Sequence, residues 1–178
     1  NQFKEQLSQR AECNRGLYPW WRLQRPRNRE MLLDGERILV PLYATKNRFF
    51  FCKEIIVGMT DVYIIAITSN QYRGAFISAV LNSHLLNLYH SNFCKVKRAG
   101  YLEYSGNKIS RLPIRRIEFI TPNKEREQLL DEGKQLYEDC LSRGDNNSTL
   151  DFVEHQLTQT PERADVIHDL LAFLAEQM

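Results

Sequence analysis

The sequence predicts an α+β fold: a mostly antiparallel sheet with a long packed helix, followed by an all-α helical arm. Three observations predict it. Short runs rich in aromatic and β-branched residues recur between turn-formers as far as Thr68. Between Tyr72 and Phe93 the apolar period changes from that of a strand to that of a helix. Beyond Pro122 the pattern stays helical, and the sign of the charge reverses.

Along the chain, Phe3, Leu7 and Ala11 fall four apart, the spacing of one helix face, so residues 3–13 read as a helical turn or two that Pro19 ends. Trp20 to Leu23, Arg37 to Tyr43, Phe49 to Cys52 and Val62 to Thr68 read as strands, separated by turn-formers such as Asp34-Gly35 and Lys46-Asn47. Phe76, Val80, Leu81, Leu85, Leu88 and Tyr89 then recur at steps of one, three and four. One long helix over residues 72–93 carries them on a single face, buried against the sheet. Gly100 to Tyr104 is a short extended piece, and Lys108 to Leu112 a turn of helix closed at Pro113.

In the arm, Leu129, Gly133, Leu136 and Cys140, with Leu130, Tyr137 and Leu141, form a near-heptad seam that Gly144 stops. Gly133 in that seam stands either for close helix approach or for weakness. Ser148 and Asp151 have the spacing of a capping box for a second helix through Leu150, Val153 and Leu157. Thr160-Pro161 opens a third, with Pro at its first position and Ile167, Leu170, Leu171 and Leu174 as its apolar stripe. The expected division is a helical lead-in over 1–17, an α+β domain over 18–116 and an acidic helical arm or hairpin over 117–178.

The formal charge of +2 hides two halves of opposite sign. Residues 1–116 carry 19 Lys and Arg against 8 Asp and Glu, a net +11, whereas residues 117–178 carry 5 against 14, a net −9. A positive excess of that size attracts polyanions, and nucleic acid is the obvious one. The alternative is that the acidic tail folds back and answers the charge. The 178 residues, 43% hydrophobic, suffice for one compact core and an appendage. Val62 to Ile67, the most apolar stretch, is far shorter than the roughly 20 residues of a membrane-spanning helix. Cys13, Cys52, Cys94 and Cys140 lie too far apart for a zinc knuckle or a short disulfide framework, and read as reduced thiols of a cytoplasmic protein. The chain opens on Asn1 with polar, helix-prone residues and no leader-like pattern, which reads as a piece of a longer protein.

Catalytic groups are not evident in this pattern. His84, His90, His155 and His168 fall on predicted helices with no carboxylate or cysteine expected at ligand spacing, and read as core or surface histidines instead of metal ligands. Neither a glycine-rich phosphate loop nor an Asn-Pro-Pro-Tyr-like run occurs. Asp131-Glu132-Gly133-Lys134 has the Glu-x-Lys spacing of metal-dependent nucleases, but on a helix instead of a strand those side chains do not converge, and they read as a solvated face. No metal site is expected.

The informative run is Tyr18 to Arg29, YPWWRLQRPRNR. Arg22, Arg25, Arg27 and Arg29 can pair with phosphates or fork onto guanine, Gln24 and Asn28 carry the donor and acceptor that suit adenine, and one of the two Trp residues serves as a core anchor. Lys46 with Arg48, and Lys95 with Lys97 and Arg98, fall at predicted loops, where phosphate clamps sit. These eleven residues form the expected DNA-binding set.

The order Trp20-Trp21, ILVPLYATKNRFFF, DVYIIAI, FISAVLNSHLLNLYHSNF and GYLEYSGNKISRLPI resembles the TaqI-like C-terminal specificity domain of single-chain restriction-modification enzymes, over about Tyr18 to Ile114. Type I specificity subunits carry similar target-recognition domains. The resemblance implies a duplex-DNA recognition module without chemistry of its own, serving a methyltransferase domain of the same polypeptide. S-adenosylmethionine then belongs to that domain and no cofactor to these residues; the parent chain would be a methyltransferase or endonuclease. Trp20, Pro41, Asn82 and Pro113 match the pattern as structural positions. Where the family tends to have two glycines before the aromatic of the extended piece, Ala99 precedes Gly100, which bears on any contact needing a bare backbone at 99. The helices after Pro122 match no motif of the family; they suit a spacer or a self-association surface. The competing class is a protein-interaction module working through those helices.

Overall fold

The computed structural model describes residues 3–22, 35–56, 61–94 and 96–177. The chain forms two compact units, residues 1–34 and 35–178. In the first, helices α1 (Lys4–Ser8) and α2 (Ala11–Asn14) lead to Gly16, whose φ of +70° turns the chain. Residues 20–22 then form a turn, not the expected strand, and Leu23 lies outside the described residues. The cause is Arg10: its guanidinium donates to the carbonyls of Trp20 and of Arg22 (3.0 Å), groups that a strand would need for its ladder. Trp20 is half-buried and Trp21 69% exposed, so neither is among the buried core residues and the expected core anchor is not found at this pair.

The second unit is built on β1 (Arg37–Pro41), which lies between β3 (Phe50–Cys52) and β4 (Val62–Ala66) and is antiparallel to both. Ile38 and Val40 alternate into the core at full burial, as a period of two requires. Just past β1, at Leu42, the N–H turns to the Asp61 carbonyl (2.7 Å). The chain then enters a second, two-stranded ribbon, β2 (Tyr43–Ala44) against β5 (Leu102–Glu103), with Tyr43 opposite Glu103 and Ala44 opposite Leu102.

The single long helix expected over 72–93 is two: α3 (Gly74–Leu81) and α4 (His84–Phe93). Ser83 is extended and its hydroxyl accepts from Leu86 N–H (3.2 Å), which starts a new helix. The break shifts the phase of the second half. Leu86 and His90 turn inward, while Leu85 (72% exposed), Leu88 and Tyr89 face solvent instead of the sheet. A short helix α5 (Gly106–Ile109) follows the ribbon.

The helical arm consists of α6 (Asn123–Arg143), α7 (Asn147–Leu157) and α8 (Ala164–Glu176), with Gly144 at φ +70° capping α6 as expected. Two predicted starts move. No capping box forms at Ser148, which lies within the first turn of α7; Asn146 is the capping position and Asp145 Oδ1 accepts Asn147 N–H (3.0 Å). The third helix begins at Ala164, not at Pro161, fixed where the buried Asp165 carboxylate accepts the Thr121 N–H (2.8 Å) and hydroxyl (2.7 Å).

Helix α8 is apolar on two faces and cements the arm to the sheet layer. Leu171, Ala172 and Ala175 join Ala75 and Phe76 of α3 in one cluster; Val166 and Leu170 join Phe152, Leu129 and Leu136 in another. Gly133 settles as a close-approach glycine, because a Cβ there would lie 3.1 Å from both Leu170 Cδ2 and Phe152 Cε1. His168 is a core histidine: Nε2 accepts Arg73 N–H (3.2 Å) and Nδ1 faces Asp169 (2.8 Å).

Candidate nucleic-acid interface

Lys46 and Arg48 are held outward by the residue between them. Asn47 is buried: its Nδ2 donates to the Leu81 carbonyl (2.6 Å), its Oδ1 accepts from the Tyr104 hydroxyl (2.9 Å), and its N–H donates to Asn87 Oδ1 (2.8 Å). Phe49 continues the anchorage. Its N–H donates to Asn82 Oδ1 (2.9 Å), and its carbonyl accepts from Asn82 Nδ2 (2.7 Å) and Ser78 Oγ (2.7 Å). A loop pinned at two consecutive odd positions presents Lys46 and Arg48 to solvent with little backbone freedom left to lose on binding.

The second pair approaches the same end of the ribbon. Because β2 and β5 are antiparallel, the loop leaving Ala44 departs where the segment 97–101 arrives at Leu102. Lys97 and Arg98 sit there, both exposed, in a turn closed by Lys97 N–H to the Tyr101 carbonyl (2.7 Å) and Gly100 N–H to the Lys97 carbonyl (3.2 Å). The turn needs positive φ at Ala99 (61°) and Gly100 (77°) in succession. The departure from a double glycine therefore places a methyl group in a left-handed conformation, at a cost of about 1 kcal/mol.

The register thus places the loop carrying Lys46 and Arg48 and the turn carrying Lys97 and Arg98 at one end of the ribbon. Arg22 lies in the other unit, exposed, with its guanidinium 6.0 Å from the Tyr18 ring centroid. Gln24, Arg25, Arg27, Asn28, Arg29 and Lys95 lie outside the described residues. The acidic arm does answer part of the basic half, through Lys53 and Arg73 to Glu176 (3.0 and 2.6 Å) and Arg115 to Glu162 (2.5 Å). Among the described residues, however, Lys46, Arg48 and Arg98 form no ion pair, and Lys97 reaches only Glu103 (3.7 Å).

Against the expectation that no cysteine lies within reach of a histidine, Cys94, one helical turn after His90, brings its Sγ to 3.1 Å from His90 Nε2 beneath the ribbon. The pair is a packed element. Both side chains are buried, His90 stacks on Tyr104 (4.4 Å), and burial lowers the imidazole pKa and raises that of the thiol, which favours the neutral pair. Burial likewise pushes Tyr104 up to about 12, keeping its hydroxyl a donor to Asn47. Asp131, Glu132 and Lys134 lie on α6, where Lys134 pairs with Asp131 (2.8 Å) as a surface contact. Across the unit, a groove of about 1010 Å³ beside β3 is lined by Phe50, Ile56 and Leu171, with the Lys53–Glu176 pair within it.

The model of the TaqI-like C-terminal specificity domain matches residues 4–114, more than half of the chain. The chain belongs to the TaqI-like C-terminal specificity domain family. A search of curated proteins finds no match. Membership makes DNA sequence recognition of the restriction-modification kind the family-level role, and a specificity domain is typically non-catalytic. The match runs from α1 to the end of the α5 segment and leaves out α6, α7 and α8. No helix among the described residues is long and apolar enough to cross a membrane.

The cations are legible in the sequence, whereas the groups that aim them are not. Asn47, Asn82 and Asn87 carry the loop, and Arg10 the turn before the arginine run. A signal existed in the Lys-Asn-Arg order, since an amide between two solvated cations suits a polar anchor.

Proposed function

We propose that residues 18–116 recognise a specific duplex DNA sequence and position a methyltransferase domain of the same polypeptide, with or without a nuclease, on that target. S-adenosylmethionine serves that domain, and the residues of this chain bind neither it nor a metal. Lys46, Lys95, Lys97 and Arg98 act as phosphate clamps, with Arg48 beside them. Base reading falls to Arg22, Arg25, Arg27 and Arg29 with Gln24 and Asn28, because a guanidinium or an amide can be bidentate where an ammonium is a point charge. The observation that carries this reading is the convergence of the two loops at one end of the ribbon, the first of them pinned by buried Asn47 and both left outside the ion pairs of the acidic arm.

The arm, residues 117–178, is proposed as a buttress and assembly surface. The exposed Leu141 and Leu150 on α6 and α7 favour a second reading, in which those helices bind another protein or a second copy of the chain. Salt-dependent binding of the full chain to cognate and scrambled duplexes separates the two. Lys46→Ala and Lys97→Ala are expected to weaken both duplexes and lower the salt slope by about one each. Arg25→Ala or Arg27→Ala is expected to cost on the order of 1 to 3 kcal/mol on the cognate duplex alone. Duplex affinity that none of these substitutions changes would remove the DNA reading and leave the interaction module.

A further inference from the structure

We infer that Glu103 reads a base: its carboxylate, on the solvent face of the β2–β5 ribbon, accepts a hydrogen bond from the exocyclic amino group of a cytosine in the major groove. The inference rests on the reading that the chain recognises duplex DNA, and it adds a base-reading group outside the arginine run.

The ribbon has one inner and one outer face. Ala44 and its partner Leu102 are buried, so the neighbouring pair, Tyr43 and Glu103, points the other way. Tyr43 is exposed, as is Tyr101 two residues before Glu103. A two-stranded ribbon is one of the elements the major groove admits. Here its outer face carries two aromatic rings and one carboxylate, with Lys46, Arg48, Lys97 and Arg98 at its end.

A carboxylate in that position opposes phosphate binding. It lowers the local positive field and repels the backbone. Its pair with the half-exposed Lys97 is worth little to the fold, whereas its pair with Lys108, whose side chains are 24% and 20% exposed, is half-buried and orients it. Glu36, by contrast, has a structural task, accepting the Gly74 N–H (2.6 Å) at the start of α3.

Glu103 is oriented and kept ionised. Lys108 on α5 donates to its Oε2 (2.9 Å), and Lys97 lies 3.7 Å from the same oxygen. The Lys108 hydrogen bond holds the carboxyl below the usual carboxylate range, with a smaller contribution from Ser105. An ionised carboxylate offers about four acceptor positions, so these partners fix its plane and leave capacity over. An acceptor of this kind discriminates by sign. Guanine shows O6 and N7 to the major groove and thymine shows O4, all acceptors that it repels, whereas the cytosine N4 amino group donates. Adenine offers N6, but with the N7 acceptor beside it, so cytosine is the better partner.

The test selects duplexes from a randomised library with the full chain, Glu103→Ala and Glu103→Gln, each checked for an unchanged melting transition. The parent is expected to require cytosine at one position, and to lose on the order of tenfold when that cytosine is replaced by the analogue without its amino group. Glu103→Ala is expected to lose the preference at that position alone, to bind cytosine and analogue duplexes alike, and to bind scrambled duplex more tightly than the parent. Glu103→Gln, which both donates and accepts, is expected to move the preference towards adenine. Uniform weakening on every duplex would overturn the inference, leaving Glu103 to orient Lys97 and Lys108. Unchanged preferences in both variants would overturn it too, while DNA recognition stands. A parent that selects no sequence removes both.

Discussion

Replacing Asn47 by alanine tests the anchorage of the basic loop, because the two bonds its side chain makes end on groups that water cannot reach. The Tyr104 hydroxyl belongs to a residue with no exposed surface, and the Leu81 carbonyl accepts through a contact buried at the end of α3. An orphaned buried hydroxyl costs about 1–3 kcal/mol and the second lost bond about 1, so Asn47→Ala is expected to lose about 2–4 kcal/mol. For a chain of this size that is a fall of about 6–12 °C in Tm. Tyr104→Phe leaves only the Asn47 oxygen unpaired and is expected to cost about 1 kcal/mol. In the double variant no orphan hydroxyl remains, so its loss should fall short of the sum of the two singles by about 1–2 kcal/mol. Urea unfolding of the four proteins, with their salt-dependent affinities for one duplex, is the assay. The variant should also bind cognate and scrambled DNA less tightly by similar factors, since Lys46 and Arg48 lose their fixed setting. A cycle that is additive, or an Asn47→Ala loss below about 0.5 kcal/mol, would refute the anchorage.

Gly133→Val is expected to destabilise by on the order of 2 kcal/mol in urea, because the new branches meet Leu170 and Phe152 in a cluster with no room to yield. Ala99→Gly, which relieves a left-handed φ, is expected to stabilise by about 0.5–1 kcal/mol in the same measurement and to leave DNA binding intact. The lowered pKa of His90 makes the unfolded chain the better proton acceptor below pH 6.5, so stability falls as the pH drops through that value towards the folded pKa. The fall is at most about 1.4 kcal/mol per pH unit from this group, and a melting series in His90→Phe should be flatter between pH 7 and 5. Deleting residues 122–178 strips α8 from Ala75 and Phe76, and is expected to abolish the cooperative unfolding transition, seen by calorimetry.

Aromatic and β-branched runs between turn-formers were enough to find the strands over 37–41, 50–52 and 62–66, and helical periodicity the three helices of the arm, because both signals are written in the order of the residues. The division of charge and the family resemblance were likewise properties of the chain read in one dimension. Two things were not. The break at Asn82–Ser83 depends on the Ser83 hydroxyl capping a new helix while Asn82 holds Phe49, and together they turned Leu85, Leu88 and Tyr89 outward against a well-formed apolar pattern. The meaning of Gly133 waited on Leu170 and Phe152, since a glycine in a helix reads alike whether a neighbour presses on it or not. Sequence by itself determined which residues are charged, which are apolar and at what spacing. Tertiary structure decided which of those charges stay in water, because Lys53, Arg73 and Arg115 meet carboxylates of the arm only when α8 docks on α3, whereas Lys46 and Arg48 are turned away from such partners by an asparagine bonded to residues 34 and 57 positions further along.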